Sequence, residues 1–439
     1  MKIVQTSEWS SILLEPDTSL SEQDRKLATE LKQNGKITVD ELRSGIRISV
    51  QSWVGVVQFT DFELQVIPKL TGDYLGLVKL IDYVSDLDAL RRFSPEWFLQ
   101  AEGCNLLDIV AMLFIRECEK VVRQGLMADY IDIKEALPVL RGRFLVERQM
   151  LKRFGRLDVL ECRHDERLTD IPENMILLAA LTRCQQAVQH KETHQKVRRL
   201  LSIFQQSCTL NTHTISRKQI DIIYNRLNEH YREAHTLAWL ILESTGIENI
   251  YHMGSHQCFS FLLDMNSLFE QFVRYWIQDI IRDTEFKLDA KQKYRSVIVD
   301  AATQNTSSPI IPDLVIQHRE LPGLYLPIDV KYKLYDEKSL NIGDIYQTFL
   351  YAYSIGARVH GSVPSALILY PISEKTSETK RLFIKRRDNK IGAKLVAKGI
   401  SIPQAIKEAQ QNYIGAVGLG ILDLIREELH SKVSYQLEQ

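Results

Sequence analysis

IIPDLVI at residues 310–316 and LPIDVKYK at residues 326–333 are two aliphatic runs, each with an aspartate in its interior. Short runs of this kind, bounded by Pro and Gly, read as β-strands. In a strand, residues two apart share a face. Asp329, Lys331 and Lys333 then lie on one face, while Ile328, Val330 and Tyr332 point into the core. Pro312-Asp313 precedes Asp329 by fifteen intervening residues, so Asp313 on the neighbouring strand can meet the Asp-Lys pair. Charged groups on strands otherwise built of Ile, Leu and Val are costly unless paired or bound to metal. Two carboxylates and one ammonium suit phosphodiester hydrolysis, in which one or two carboxylates hold a hard divalent ion. Asp313 and Asp329 are the expected metal ligands. Lys331 would position or deprotonate the attacking water, or stabilise the charge of the transition state. An Asp-x-Lys alone also fits a surface ion pair on an edge strand. The Pro-Asp inside an apolar run and the helix that follows favour the chemical reading.

That helix is expected over Asp344–Ser354. Gln347 and Tyr351 stand one turn apart on it, share a face, and can support the metal site or the DNA backbone. Further strand-like runs occupy 296–301, 365–370 and 381–385, and two helices near 402–411 and 419–431 close the chain. Upstream, Met265, Leu268, Phe269, Phe272, Val273, Trp276, Ile277 and Ile280 form one apolar helical stripe. This order of helices and strands argues for an α/β sheet with helices on its faces.

Residues 91–245 read mostly helical. Leu106, Ile109, Val110, Leu113 and Phe114 keep a 3.6-residue period, as do Ile176, Leu177, Ala180 and Leu181, and Gln219–Leu242 continues the pattern. Breaks fall at Leu137-Pro138, at Arg141-Gly142-Arg143 and at Thr169–Pro172. At the last, Asp170 or Thr169 can cap the next helix and Pro172 sits near its first turn. Gly142 permits a tight backbone conformation or marks a functional turn. Arg148, Lys152, Arg153, Arg156, Arg163 and Arg167 form a solvated face or a docking surface. Residues 1–90 read β-rich, from GIRISVQSWVGVVQF (45–59) and FELQVIPKL (62–70), with one helix between Ser21 and Asn34. The expected layout is a multi-domain α/β protein: a small β-rich domain at 1–90, a helical middle at 91–245, and an α/β domain at 246–439.

The 439 residues carry 55 Lys and Arg against 56 Asp and Glu, so any nucleic-acid contact must be a local patch. The densest basic run is Lys380-Arg381 with Lys385, Arg386, Arg387 and Lys390. It serves either to neutralise DNA phosphates or to keep an exposed strand edge soluble. Six cysteines without a CxxC fit neither a zinc site nor a disulfide framework. With no signal-peptide pattern and no long apolar run, the expected setting is the cytoplasm, with no membrane partner. His252 and His256 stand four apart, but Gly254 between them disfavours a helical zinc site. Tyr332 and Tyr335 can stack on bases or pack in the core. The phosphate-cradling string G-x-x-x-x-G-K-[ST] does not occur.

Pro312-Asp313, Asp329-Val330-Lys331 and Gln347-x-x-x-Tyr351 resemble the RecB-type branch of PD-(D/E)xK nucleases. The resemblance implies a restriction-endonuclease-like α/β/α domain, with Glu270 of MNSLFEQFV as a third acidic metal ligand. A charge beside the apolar stripe is the other reading of Glu270. Trp53-Val54-Gly55-Val56, Leu64–Leu70, Leu140–Arg143, the Asp170 to Asn174 segment before LLAAL, and MNSLFEQFV are similar to McrC-like restriction subunits. The resemblance implies a Mg2+-dependent DNA endonuclease subunit, with Mn2+ as a substitute. Its partner would be a McrB-like AAA+ oligomer that itself binds and hydrolyses GTP, and the N-terminal and middle regions would dock onto that ring and stimulate it. A related branch reads sequence and not methylation, and both stay open. A stand-alone repair nuclease and a non-cleaving GTPase-activating scaffold are the competing functions.

Overall fold

The computed structural model describes residues 2–437 except 16–17, 86–103, 157, 211–219, 246–257, 304, 322, 336–338, 357–362, 374–378 and 412. His252 and His256 lie outside the described residues. Among those described, eleven α-helices and several sheets make a mixed α/β protein. The chain begins with β1 (Lys2–Ser7), β2 (Ser11–Leu14), α1 (Glu22–Gln33), β3 (Ile37–Leu42), β4 (Gly45–Val50), β5 (Trp53–Gln58), β6 (Phe62–Ile67) and α2 (Tyr74–Val84). It continues with α3 (Leu106–Gln124), β7 (Asp129–Leu137), β8 (Arg143–Phe144), α4 (Val146–Arg153), β9 (Leu160–Leu168), α5 (Pro172–Ala187), α6 (Lys191–Ser207) and α7 (Arg232–Thr245). Next come β10 (Phe259–Asp264), α8 (Met265–Ile280), β11 (Phe286–Ala290), β12 (Tyr294–Val299), β13 (Thr306–Ile310), β14 (Leu314–His318) and β15 (Tyr325–Val330). The last elements are α9 (Ile342–Ile355), β16 (Ser365–Ile372), β17 (Lys380–Lys385), β18 (Ile391–Ser401), α10 (Ile402–Gln410) and α11 (Ala416–Leu437).

Contacts divide the chain into two units: Met1–Val54 with Leu64–Leu90 and Leu263–Gln439, and Gly55–Glu63 with Arg91–Leu262. The first is organised by a six-stranded sheet of order β11-β14-β15-β16-β18-β17. β15, β16 and β18 run parallel; the pairs β11–β14, β14–β15 and β17–β18 are antiparallel. All eight residues of β16 are buried, as expected for a strand covered on both faces. Ala366 packs with Ala352, Ile345 and Phe349 of α9 on one face. On the other, Phe269 of α8 meets the Tyr332 ring at 5.6 Å. In the same unit β2, β4 and β3 form a small sheet, against which α1 lies. The Ser21 and Asp24 side chains cap α1 reciprocally, and Leu27 and Leu31 are its buried face.

In the second unit, α3, α5, α6 and α7 pack on one another through the periodic residues, with Val110, Phe114, Ile176 and Leu181 essentially inaccessible. Three details of the sequence reading change here. The middle is mostly helical, but β7, β9 and β8 add a three-stranded sheet to it. Its strands are rich in charge (DYIDIKEAL, LECRHDERL) and are held by main-chain pairing and by links such as Arg163–Asp132 at 2.8 Å. Arg141-Gly142-Arg143 therefore separates two strands. Gly142 has φ +68°, and a Cβ there would stand 2.4 Å from the Arg163 carbonyl oxygen. The helix read from Gln219 begins only at Arg232, after an Asn225–Asn228 turn closed by the Asn228 side chain. Nor does Asp170 cap α5. It accepts from the Thr209 backbone and hydroxyl at 2.9 Å each, leaving Ile171 at the cap and Pro172 in the first turn.

Candidate active site

β14 and β15 pair antiparallel, with Leu314 opposite Ile328. One step further, the same register sets Asp313 opposite Asp329, where the ladder ends. Asp313 lies just before β14 and not inside a strand, because the run at 310–316 is split around Pro312-Asp313 between β13 and β14. Proline has no N–H to give a ladder. Where the ladder stops, the Asp313 carboxylate accepts from the Val330 backbone N–H at 2.7 Å and gives that donor a side-chain partner. Asp329 is 1% exposed, and its carboxyl shares a hydrogen bond with that of Asp313.

Lys331 follows the last residue of β15, and its N–H still reaches the Leu369 carbonyl at 2.9 Å. Its ammonium donates to Asp329 Oδ1 at 2.9 Å. Lys333 turns to a different carboxylate, Asp344 Oδ2, at 2.6 Å. Asp344 also accepts from the Tyr335 hydroxyl. The Thr348 hydroxyl donates to the Asp344 carbonyl at 2.8 Å and approaches Asp329 Oδ2 at 3.4 Å. Asp344 and Thr348 were not singled out from the sequence. Their positions one turn apart on α9, level with Gln347 and Tyr351, were the available signal.

Gln347 Nε2 donates to the Tyr351 hydroxyl at 2.7 Å, and that hydroxyl donates to the Ile311 carbonyl at 3.2 Å. The Gln-Tyr pair thus braces the turn that carries Asp313. Glu270 on α8 forms an ion pair with Lys291 at 2.9 Å, and the Lys291 N–H reaches the Asp313 carbonyl at 3.2 Å. Glu270 is close enough for its charge to act on Asp313. Lys291, which links the two and has φ +53°, went unnoticed in the sequence.

Burial pushes the Asp313 carboxyl up to about 7; the charges of Asp329 and Glu270 add to this, against the Val330 hydrogen bond and Lys331. Burial also raises Asp329, opposed by Lys331 and aided by Asp344. For Lys331, burial pulls the ammonium down, but Asp329, Asp313 and Asp344 outweigh it and the net shift is upward. Both carboxyls therefore resist charging side by side, a cost that a bound divalent ion would offset. Among the described residues no three His, Cys, Asp or Glu side chains form a ready-made metal cage. The all-oxygen pair nonetheless fits Mg2+, which needs one or two carboxylates and fills its remaining positions with water and phosphate.

The family model described as "McrBC 5-methylcytosine restriction system component" matches residues 48–371. The chain belongs to this McrBC family. A chain from the refined half-complex of the tetradecameric assembly of Thermococcus gammatolerans McrB AAA+ hexamers with bound McrC shares its fold. The two have 17% identity and a TM-score of 0.59, over 94% of this chain and 99% of the other. A chain of the Thermococcus gammatolerans McrBC complex matches at 20% identity and a TM-score of 0.47, over 64% of this chain and 88% of that one. No curated protein matches significantly.

In this McrBC-family chain the basic run lies away from the carboxylates and the two tyrosines lie in the core. In the sheet, Asp329 is level with Ile368, Ala397 and Lys380. Lys385 is level with Ile391, six residues further along, so it lies about 20 Å down the sheet and about 14 Å across it from Asp329. Lys385, Arg386 and Arg387 thus occupy an exposed turn away from the carboxylates. Lys380 is the basic residue at the level of the site, and it donates to the Tyr335 carbonyl at 2.7 Å. Tyr332 and Tyr335 are 2% and 3% exposed, which places both in the core. Among the described residues no helix is long and apolar enough to cross a membrane.

Proposed function

We propose that this chain is the DNA-cleaving subunit of a McrBC-type restriction system, hydrolysing phosphodiesters with Mg2+ or Mn2+. The observation that carries the reading is the pair Asp313 and Asp329 at the open end of the β14–β15 ladder, with Lys331 at 2.9 Å from Asp329. Asp313 and Asp329 would hold the divalent ion, and Glu270, whose Oε1 pairs with Lys291, would be the third acid. When bound, that ion supplies an activated water and neutralises phosphate charge. Lys331 is kept protonated by three carboxylates, which suits it to stabilise transition-state charge more than to remove a proton. Tyr351 and Gln347 hold the Asp313 turn in place. Lys333 is held on Asp344, and the exposed Lys385–Arg387 turn suits backbone contact with more distant DNA.

The partner in this reading is a McrB-like AAA+ oligomer that binds GTP. Family membership supports it, as does the shared fold with a chain from an assembly of McrB hexamers with bound McrC. The proposed setting is the cytoplasm. Asp329→Ala in the full chain, assayed with its AAA+ partner, should abolish DNA cutting and leave stimulation of nucleotide hydrolysis intact. Retained cutting would remove the nuclease assignment. Loss of both activities would remove the division of labour.

A further inference from the structure

A cleft of about 690 Å3 opens beside the candidate active site, lined by Trp9, Lys333, Tyr335, Ser339, Asn341 and Ile342 among others. Its size suits a small organic group, and its lining combines one aromatic face, one ammonium and neutral hydrogen-bonding groups. Lys333 is two residues from Lys331, so the cleft is continuous with the chain segment that carries the proposed chemistry.

Trp9 is the unusual wall. It has φ +59°, a conformation that a bulky side chain adopts only when its surroundings impose it. Those surroundings are visible. The Trp9 N–H donates to the Gln51 carbonyl at 2.9 Å, and the Glu8 N–H donates to the Ile67 carbonyl at 3.3 Å. The Glu8 side chain is 1% exposed, and its Oε1 accepts from the Lys69 N–H and the Tyr332 hydroxyl, each at 2.7 Å. Tyr332 stands between Lys331 and Lys333. Glu8 therefore locks the turn that presents Trp9 to the same segment that holds the two lysines. The indole, so fixed, remains 38% exposed. Ile342, 64% exposed, and Tyr346, 68% exposed, continue an apolar ridge along one face of α9.

We propose that this cleft receives one unstacked nucleobase of the DNA strand whose phosphate lies at Asp313 and Asp329, with Trp9 as the stacking platform. The inference rests on the nuclease reading for which strand is held, and adds a binding site to it. A π-face accepts any base, so the contact is tolerant of sequence. Lys333 spends one N–H on Asp344 and has two more for the adjoining phosphate. Asn341 and Ser339 offer polar groups to the base edge.

The test is binding of a labelled single-stranded DNA oligonucleotide to the full-length chain in EDTA, where nothing is cut. Trp9→Ala should weaken binding about tenfold, and Trp9→Phe, which keeps a ring, should stay within about twofold of wild type. Ser339→Phe, which fills the cleft from its exposed side, should weaken binding as well. The cleavage assay of Asp329→Ala with the partner present judges the nuclease reading separately. Wild-type affinity in both Trp9→Ala and Ser339→Phe overturns the base site. So does loss of partner stimulation without loss of oligonucleotide binding, which would give the cleft to a protein segment.

Discussion

Asp108, at the start of α3, is 5% exposed, and its Oδ1 accepts backbone N–H groups from Gln189 at 3.1 Å and His190 at 3.3 Å. Its own N–H is capped by Asn105 at 2.9 Å. Asp329, in the other unit, is 1% exposed and faces a second carboxyl, a lysine and a threonine. Both carboxyls are raised by burial. Asp108 is answered mainly by main-chain donors, which tie a helix start to the corner between α5 and α6. Asp329 is answered by a second carboxyl, by the Lys331 ammonium and by the Thr348 hydroxyl. Burial of a carboxylate is thus a poor sign of function by itself. The company it keeps is the better one.

Substitution can break this contrast. Asp313→Asn should lower DNA cleavage about a thousandfold, the several kcal/mol expected of a lost metal ligand, measured as multiple-turnover cutting with the partner present. Asp108→Asn keeps an oxygen for the two N–H groups and should cut within about twofold of wild type. Chemical denaturation should reverse the order. Asp108→Ala leaves two buried N–H groups without a partner and should cost about 2 kcal/mol, whereas Asp313→Asn should cost little.

The pH dependence follows from Asp313. Its folded pKa of about 7 lies above the unfolded value of about 3.9. Between these values the folded chain keeps a proton that the unfolded chain has released. The contribution of Asp313 to the stability of the metal-free chain is therefore fully present below about pH 4 and is lost as pH rises towards 7, by at most about 1.4 kcal/mol per unit. Melts of Asp313→Asn should show a shallower slope over that range, with Asp329 and Asp108 supplying what remains. The smallest effect is expected at the distant basic turn. Neutralising Lys385, Arg386 and Arg387 together should leave cleavage at saturating DNA unchanged and flatten the salt dependence of binding by about 0.9 per lost phosphate contact.

The sequence was most informative where one rule acted alone. Residues two apart in a strand predicted the Asp329–Lys331 pair, and the apolar stripe over 265–280 predicted α8. The Ser21 to Asn34 interval contained α1, with its reciprocal cap. It was least informative where one strand meets two environments. β18 (IGAKLVAKGIS) lies between β16 and β17 yet holds two lysines and two glycines, and the half-buried Lys394 pairs with the buried Glu428. No two-residue period survives that mixture. β7 and β9 hide for the opposite reason: β7 has no buried residue and β9 buries Glu161 and His164 with Cys162, so their register rests on main-chain bonds that leave little apolar pattern. Lys291 and Asp344 reach the site through tertiary contact, which no local spacing encodes.

The central claim can be tested by locating the ion. Crystals of the full chain soaked in Mn2+ should give one anomalous peak about 2.2 Å from both an Asp313 and an Asp329 oxygen, and Asp313→Asn crystals should lose it. A soaked, cleavage-competent wild-type protein whose manganese binds elsewhere, or not at all, would contradict the account.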